Sequence, residues 1–336
     1  MKIKLSKFVS DLPQLLESMI VPILVAEPGV GKSQSVEAVV ASQDGWGFDV
    51  YHPAMGMPSD VKGLPFRLDD NQAGFLPYEF MVGIQNADTT HPDGLYVVLI
   101  DDLIQATDLM KASIMQLVEC RRINGKAIPD NVRFVMATND ATHNAGGTRV
   151  ISPLIGRSMV VEIESDPKGW IKWGIESKRI VPEVLYFIQT FPESLSNFVV
   201  TKSIQNVPSP RNWERVSKLV SIDKIDTAYI AGCVGEEEAT RFKGFLKTIQ
   251  DLKGVVPQIL QTPDTAPLFD QGNELDKLYS LGLALAHNAN KKNIDPIYRY
   301  LKRLGGEPME FILAQILHFN PDLKETSVYI NHAIKW

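Results

Sequence analysis

Apolar positions in the first half of the chain fall into short unbroken runs, set between stretches whose apolar residues recur every three or four positions. The run 22–26 (PILVA) is stopped by Pro28 and Gly29, and 32–42 then follows with helical spacing of Val36, Val39 and Val40. The spacing predicts further strands at 48–52, 95–100, 132–139 and 158–163. Continuous apolar runs such as LYVVLI are expected of central parallel strands buried on both faces. After 107 a helical pattern begins, with Thr107 as its N-cap. The Asn124-Gly125 pair between short extended pieces signals a hairpin. Strands alternating with helices predict an α/β fold with a mostly parallel, right-handed sheet. The Gly-, Pro- and Met-rich stretch from 53 to 77 reads as an elaborated loop.

The texture changes after about 165. Segments 167–180, 182–191, 210–222 and 237–252 carry the spacing of short amphipathic helices. From 252 the pattern stays helical, with a looser Pro-containing stretch near 256–268. The expected organisation is an α/β core over 1–165, a helical lid over 166–251 and a helical C-terminal region over 252–336. No internal repeat or low-complexity segment stands out.

Composition narrows the picture in a few places. With 336 residues, 44% hydrophobic and 22% charged, the chain is long enough for two or three domains. A net charge of -6 argues against a dedicated nucleic-acid binder, because phosphate neutralisation needs clustered Lys and Arg. Two distant cysteines, Cys120 and Cys233, make neither a disulfide framework nor a zinc site. The six histidines are scattered without metal-ligand spacing. No apolar run approaches the roughly 20 residues needed to cross a bilayer. The N-terminus is interrupted by Asp11, Glu17 and Pro22 and lacks the apolar core of a signal peptide. The expected location is cytoplasmic.

The chemistry concentrates in two motifs. AEPGVGKS (26–33) sits directly after a strand and opens a helix, the context a phosphate-binding loop requires. Gly29 and Gly31 let backbone N–H groups turn inward, Lys32 reaches the outer phosphates, and the Ser33 hydroxyl offers a Mg2+ ligand. Glu27, Pro28, Gly29, Val30, Gly31, Lys32, Ser33 and Gln34 are therefore the expected nucleotide contacts. Ala26 stands where the usual pattern begins with Gly, which is tolerable if its φ is negative. The second motif is YVVLIDD, where Asp101 and Asp102 close an apolar strand. A carboxylate there is costly unless something compensates it. In a fold with this loop, the strand-ending Asp holds Mg2+ together with the loop Ser, so Asp101 and Ser33 form the expected metal pair.

In this order the motifs resemble those of AAA+ ATPases, and within them the MoxR group. The likeness rests on AEPGVGKS, on MPSDVKG (57–63), on AGFLPYEF, on VVLIDDLIQATDLMKASIMQLVECRRING, on FVMATND, on SPLIGRSMVVEI and on PSPRNWERV. It covers about residues 20–250. The resemblance implies a P-loop AAA+ core and ATP with Mg2+ as ligands. It places the sensor on Asn139, an arginine finger on Arg157 with Arg149 as rival, and a second sensor arginine on Arg211 in the lid. It also implies self-assembly into a ring, expected to be a hexamer, and chaperone-like work on a protein partner, such as a von Willebrand factor A domain protein.

Asp102 departs from the family, which usually has Glu at this position to polarise the attacking water. Asp is one methylene shorter, roughly 1.5 Å, and a misplacement of about 1 Å can cost on the order of 10²-fold in rate. Three readings follow: a ring-forming ATPase with slow turnover, a nucleotide-gated assembly module with negligible hydrolysis, and, less supported, a nucleic-acid motor. Met55 and Met57, flexible and apolar, mark 55–80 as an expected contact with a substrate or pore.

Overall fold

The computed structural model describes residues 2–69, 71–139, 155–197, 205–222, 226–252, 254–269 and 274–332. The chain divides into two compact units, Met1–Asp166 and Pro167–Trp336.

The first unit is built on a six-stranded, wholly parallel sheet. Its strands are β1 (Lys2–Lys4), β2 (Pro22–Ala26), β3 (Gly47–Tyr51), β6 (Tyr96–Ile100), β9 (Val132–Asn139) and β10 (Met159–Glu164). They lie in the order β1-β10-β2-β9-β6-β3. Alternate residues of each central strand face opposite sides, so both faces must be covered. Val98, Ile100, Phe134 and Met136 join Met81 and Ile84 of α4 (Glu79–Gln85), Ala87 of α5 (Ala87–Thr90), and Met110, Ile114 and Leu117 of α6 (Asp108–Cys120). On the other face Val97, Leu99, Val135 and Ala137 meet Phe8, Leu12 and Leu16 of α1 (Leu5–Glu17), and Val36, Val39 and Val40 of α2 (Lys32–Ala41). The expected strands therefore form where the apolar runs put them, and α6 is capped by Thr107, whose Oγ1 accepts from the Met110 amide at 3.3 Å.

Two small hairpins stand outside the sheet. Lys62 ends the short helix α3 (Pro58–Lys62), and β4 (Leu64–Arg67) and β5 (Ala73–Leu76) then pair antiparallel, so the stretch read as a loop has its own secondary structure. Gly63 is required at its base. Its φ is 89°, and a Cβ there would lie 2.5 Å from the Leu76 carbonyl oxygen. The second hairpin, β7 (Arg122–Ile123) and β8 (Lys126–Ala127), turns through Asn124 and Gly125, both with positive φ. That is the two-residue turn the Asn-Gly pair signalled. The Asn124 side-chain amide donates to the Lys62 carbonyl at 2.6 Å, tying the second hairpin to the end of α3.

The second unit is helical, with α7 (Pro167–Ser177), α8 (Pro182–Thr190), α9 (Pro210–Val220), α10 (Thr227–Val234) and α11 (Glu236–Leu252) followed by α12 (Val255–Gln261), α13 (Leu275–Asn288), α14 (Ile294–Leu304), α15 (Gly306–Phe319) and α16 (Ser327–Asn331). A helical C-terminal region was expected from residue 252; among the described residues its buried side chains share one cluster with those of the lid, from Ile171 in α7 to Tyr329 in α16. The Phe187 ring lies 5.1 Å from those of Trp213 and Phe242, and Tyr186 packs edge-on to Phe311 at 4.8 Å.

Burial of tyrosine hydroxyls has a measurable consequence. Burial pushes Tyr300 in the second unit from 10.0 to about 12. Burial, reinforced by Asp49, does the same to Tyr96 in the first. Below pH 10 both states keep these protons. Above it the unfolded chain ionises first, so stability is lost as pH rises from about 10 toward 12. We expect the denaturant midpoint to fall between about pH 9 and about pH 11, and Tyr300→Phe to lessen that fall. An unchanged pH dependence in Tyr300→Phe would remove Tyr300 from this account.

Candidate functional site

The site is assembled where three neighbouring strands end. β9 lies between β2 and β6, so the loop after β2, the end of β9 and the turn after β6 meet at one edge of the sheet. Ala26 sits opposite Asn139 in the β2–β9 register. It is not among the described residues with positive φ, so the backbone accepts Ala there.

The loop turns on glycine. Gly29 and Gly31 have φ of 81° and 98°. A Cβ on Gly31 would meet nothing closer than Ser35 Oγ at 4.0 Å, so the backbone angle rather than space demands glycine. Gly31 is also the N-cap of α2 and offers no side chain, so the first amides of that helix face the loop uncapped. An anion is favoured at such an end. Glu27, Pro28, Gly29 and Val30 are half-buried, and Gln34 is exposed on α2.

Lys32 is only 7% exposed. Its Nζ donates to the carbonyls of Ala26 at 3.2 Å and Glu27 at 3.1 Å, and to Asn139 Oδ1 at 2.9 Å. The Asn139 Nδ2 donates in turn to Asp102 Oδ1 at 3.3 Å. Asp101, 9% exposed, accepts from the Ser33 hydroxyl through Oδ2 and from the Asp102 amide through Oδ1 at 2.9 Å. Its own amide donates to the Tyr51 carbonyl at 2.9 Å. The two adjacent aspartates are thus met by a hydroxyl, a carboxamide and a backbone amide. Five residues separated by up to 107 positions in sequence form one hydrogen-bonded set, closed by the Asp102 main-chain amide.

Ser33 and Asp101 suit a small divalent cation. Both present oxygen, the hard ligand that Mg2+ prefers, and Asp101 supplies charge. The cation would also draw its remaining ligands from phosphate oxygens and water. On the other flank of the loop, a cleft of about 120 Å³ is bounded by Val25, Val30 and Ile163 with Glu162 and Glu164.

Asp102 has φ 55° and ψ 38°, the left-handed region. Asp and Asn visit it more readily than longer side chains, because a short polar group can bond locally. Sequence reasoning weighed only the reach of this side chain and missed its backbone.

The arginines are placed differently. Arg157 is in the first unit, exposed, with Nε 2.7 Å from Glu119 Oε1 on α6. Arg149, its rival, lies outside the described residues. Arg211 is exposed on the first turn of α9 in the second unit.

An α/β P-loop core followed by a helical unit is the class that fold and loop define. No protein-family model matches the chain, and no curated protein matches it in sequence. Solved structures similar to it include a point mutant of RuvB from Thermotoga maritima, at 15% identity and TM-score 0.42 over 89% of this chain and 87% of that one. NtrX from Brucella abortus is 12% identical, with TM-score 0.40 over 84% and 68%. The replication initiator DnaA bound to AMPPCP and single-stranded DNA is 15% identical, with TM-score 0.37 over 95% and 88%. At such identities these likenesses say nothing of what this chain binds.

The left-handed angle at 102 can be tested without any ligand. We expect Asp102→Asn to leave unfolding free energy within about 0.5 kcal/mol, since Asn tolerates the same angle, and Asp102→Glu to cost about 1 kcal/mol. Denaturant titration reads both. Equal stability of the two variants would show that the backbone does not select the residue.

Proposed function

We propose that this chain is an ATPase of the MoxR-like AAA+ type, which binds Mg-ATP at the 26–33 loop, hydrolyses it slowly and works as a ring on a protein partner. One observation carries the reading. Lys32, Ser33, Asp101, Asp102 and Asn139, drawn from three strands and the loops that follow them, converge beside a glycine loop that opens a helix.

Each residue then has a task. The amides of Gly29 to Ser33 hold the phosphate oxygens. Lys32 exchanges its present acceptors for the outer phosphates. Ser33 and Asp101 hold the cation, whose charge offsets that gathering on the transferred group. Asp102 accepts a proton from the attacking water as general base, and Asn139, already bonded to it, orients that water. Arg157 is assigned to a neighbouring subunit's nucleotide, and Arg211 to its own chain's phosphates; both assignments come from the resemblance.

The protein partner is assigned to 55–80. Met55 and Met57 are 84% and 68% exposed, and Leu64, Leu68, Phe75 and Leu76 are exposed on the adjoining hairpin. A von Willebrand factor A domain protein fits the resemblance.

A second reading keeps nucleotide binding but makes turnover negligible, so that the chain is a nucleotide-gated assembly module. It is favoured by the short Asp102 carboxylate, already engaged by Asn139.

Lys32→Ala removes charged hydrogen bonds of about 1.5–3 kcal/mol each, so Mg-ATP affinity by calorimetry should fall at least about 100-fold. Undiminished affinity would refute the phosphate-loop assignment. Asp102→Asn should spare binding and lower turnover by about 10²–10⁴-fold. If wild-type turnover is itself at background, the gated-module reading replaces the ATPase.

Ring assembly has its own test. Mixing Arg157→Ala subunits with Lys32→Ala subunits should restore some turnover, because an intact finger from one can serve the intact loop of the other. Absence of rescue at every ratio, with both variants folded and co-assembled, would sink a shared site.

A further inference from the structure

We propose that Tyr51 couples the nucleotide site to the exposed 55–80 elaboration, acting as a positioning residue that transmits occupancy of the Asp101 site to α3. This rests on the nucleotide reading above and adds a route by which ATP would reach the partner surface.

Tyr51 is the last residue of β3 and touches both ends of the route. Its carbonyl accepts the Asp101 amide at 2.9 Å. Its hydroxyl donates to Asp60 Oδ2 at 3.0 Å, and that same oxygen accepts the Met57 amide at 3.0 Å, closing the N-terminus of α3. The ring stacks on Phe80 of α4 with centroids 4.3 Å apart and an interplanar angle of 18°. The hydroxyl also lies 3.9 Å from Met110 Sδ on α6. One residue thus joins the end of β6, through its carbonyl, to the start of α3, to α4 and to α6, through its side chain.

The surroundings are shaped around that hydroxyl. A Cβ on Gly56 would fall 2.1 Å from Tyr51 Oη, so only glycine lets the Tyr51–Asp60 bond form beneath the Met55–Met57 turn. Burial, followed by the Asp60 carboxylate, pushes the Tyr51 hydroxyl far above its ordinary value, so it stays protonated and donates at any physiological pH.

The movable element is α3. Five residues cannot hold a helix alone, since nucleation is unfavourable and only one or two intrahelical bonds follow. Val61 anchors it in the core, and its first turn is closed by the Asp60 cap, which Tyr51 also holds. Such marginal segments open locally at low free energy. Asp101 is engaged by Ser33 in the arrangement seen here. A cation bridging Ser33 and Asp101 would replace that bond and firm the end of β6. Because the Asp101 amide is bonded to Tyr51, a firmer Asp101 steadies Tyr51, Asp60 and the first turn of α3. From α3 the effect passes through Gly63 into the hairpin that displays Leu64 and Phe75.

Hydrogen exchange on the full chain, with and without Mg-AMPPNP, tests this. In the wild type, amides 29–34 should be protected by the analogue, and amides 60–63 should exchange about fivefold more slowly, a coupling of ordinary size. Tyr51→Phe keeps the ring and its stack but loses the Asp60 bond. It should retain protection at 29–34 and lose the nucleotide effect at 60–63. Gly56→Ala, which displaces the hydroxyl, should reproduce that result and guards against an effect peculiar to one variant. A nucleotide effect at 60–63 of wild-type size in Tyr51→Phe would overturn the proposal, as would its absence in the wild type with 29–34 protected. No protection at 29–34 in the wild type would overturn the nucleotide reading itself.

Discussion

A buried ammonium group sets the terms for the rest of this molecule. Lys32 is almost wholly enclosed, and a charge so placed is destabilising unless hydrogen-bonding groups converge on it. Its acceptors include the carbonyls of Ala26, the last residue of β2, and of Glu27 just beyond it, and the side chain of Asn139 at the end of β9. This requires β9 to lie beside β2, as it does in the sheet. β9 must in turn carry β6 on its far side for Asn139 to reach Asp102. The strand order, which looks shuffled when numbered along the sequence, is therefore the order that brings loop, carboxamide and carboxylates to one edge.

The same constraint explains why the loop is permissive at one position and strict at others. Ala26 is still strand, paired and at negative φ, so a methyl group costs nothing. Gly29 and Gly31 lie where the chain reverses to start α2, at backbone angles a side chain resists. The replacement of the leading glycine thus leaves the two glycines that turn the loop untouched.

Much of this was legible along the chain, and what was not follows a pattern. Buried parallel strands show themselves because both faces must be apolar, so 22–26, 96–100 and 132–139 could be read singly. The Asn124-Gly125 turn was legible for a local reason too. β1 was missed because it is three residues long and two of the three are lysines. Its Lys2 and Lys4 pair in register with Glu162 and Glu164, a complementarity visible only once the partner is known. β4 and β5 were missed because their strands are almost entirely exposed and carry Pro65 and Gly74, so no alternation marks a buried face. In the site, Lys32, Ser33, Asp101 and Asn139 announced themselves by type and context. Tyr51 and Asp60 did not, since neither belongs to the phosphate loop; Gly56 between two methionines was the one local signal of a close approach. The ion pair of Arg157 with Glu119 joins distant segments and leaves no trace in either.

Asp102 shows how a backbone can choose a side chain that chemistry alone would not. Judged by reach, an Asp here is a shortened Glu. Judged by angle, the residue stands at positive φ in the turn out of β6, immediately before a 3-10 turn beginning at Leu103. The Asp102 amide donates back to Asp101 Oδ1, and this turn is what lets it do so. Relaxing position 102 into an ordinary helical or extended angle would move that amide and loosen Asp101. A longer side chain at 102 would gain reach but would have to hold an angle that short, locally bonding side chains hold more cheaply. The fold thus favours a firmly set Asp101 over an extended carboxylate at 102.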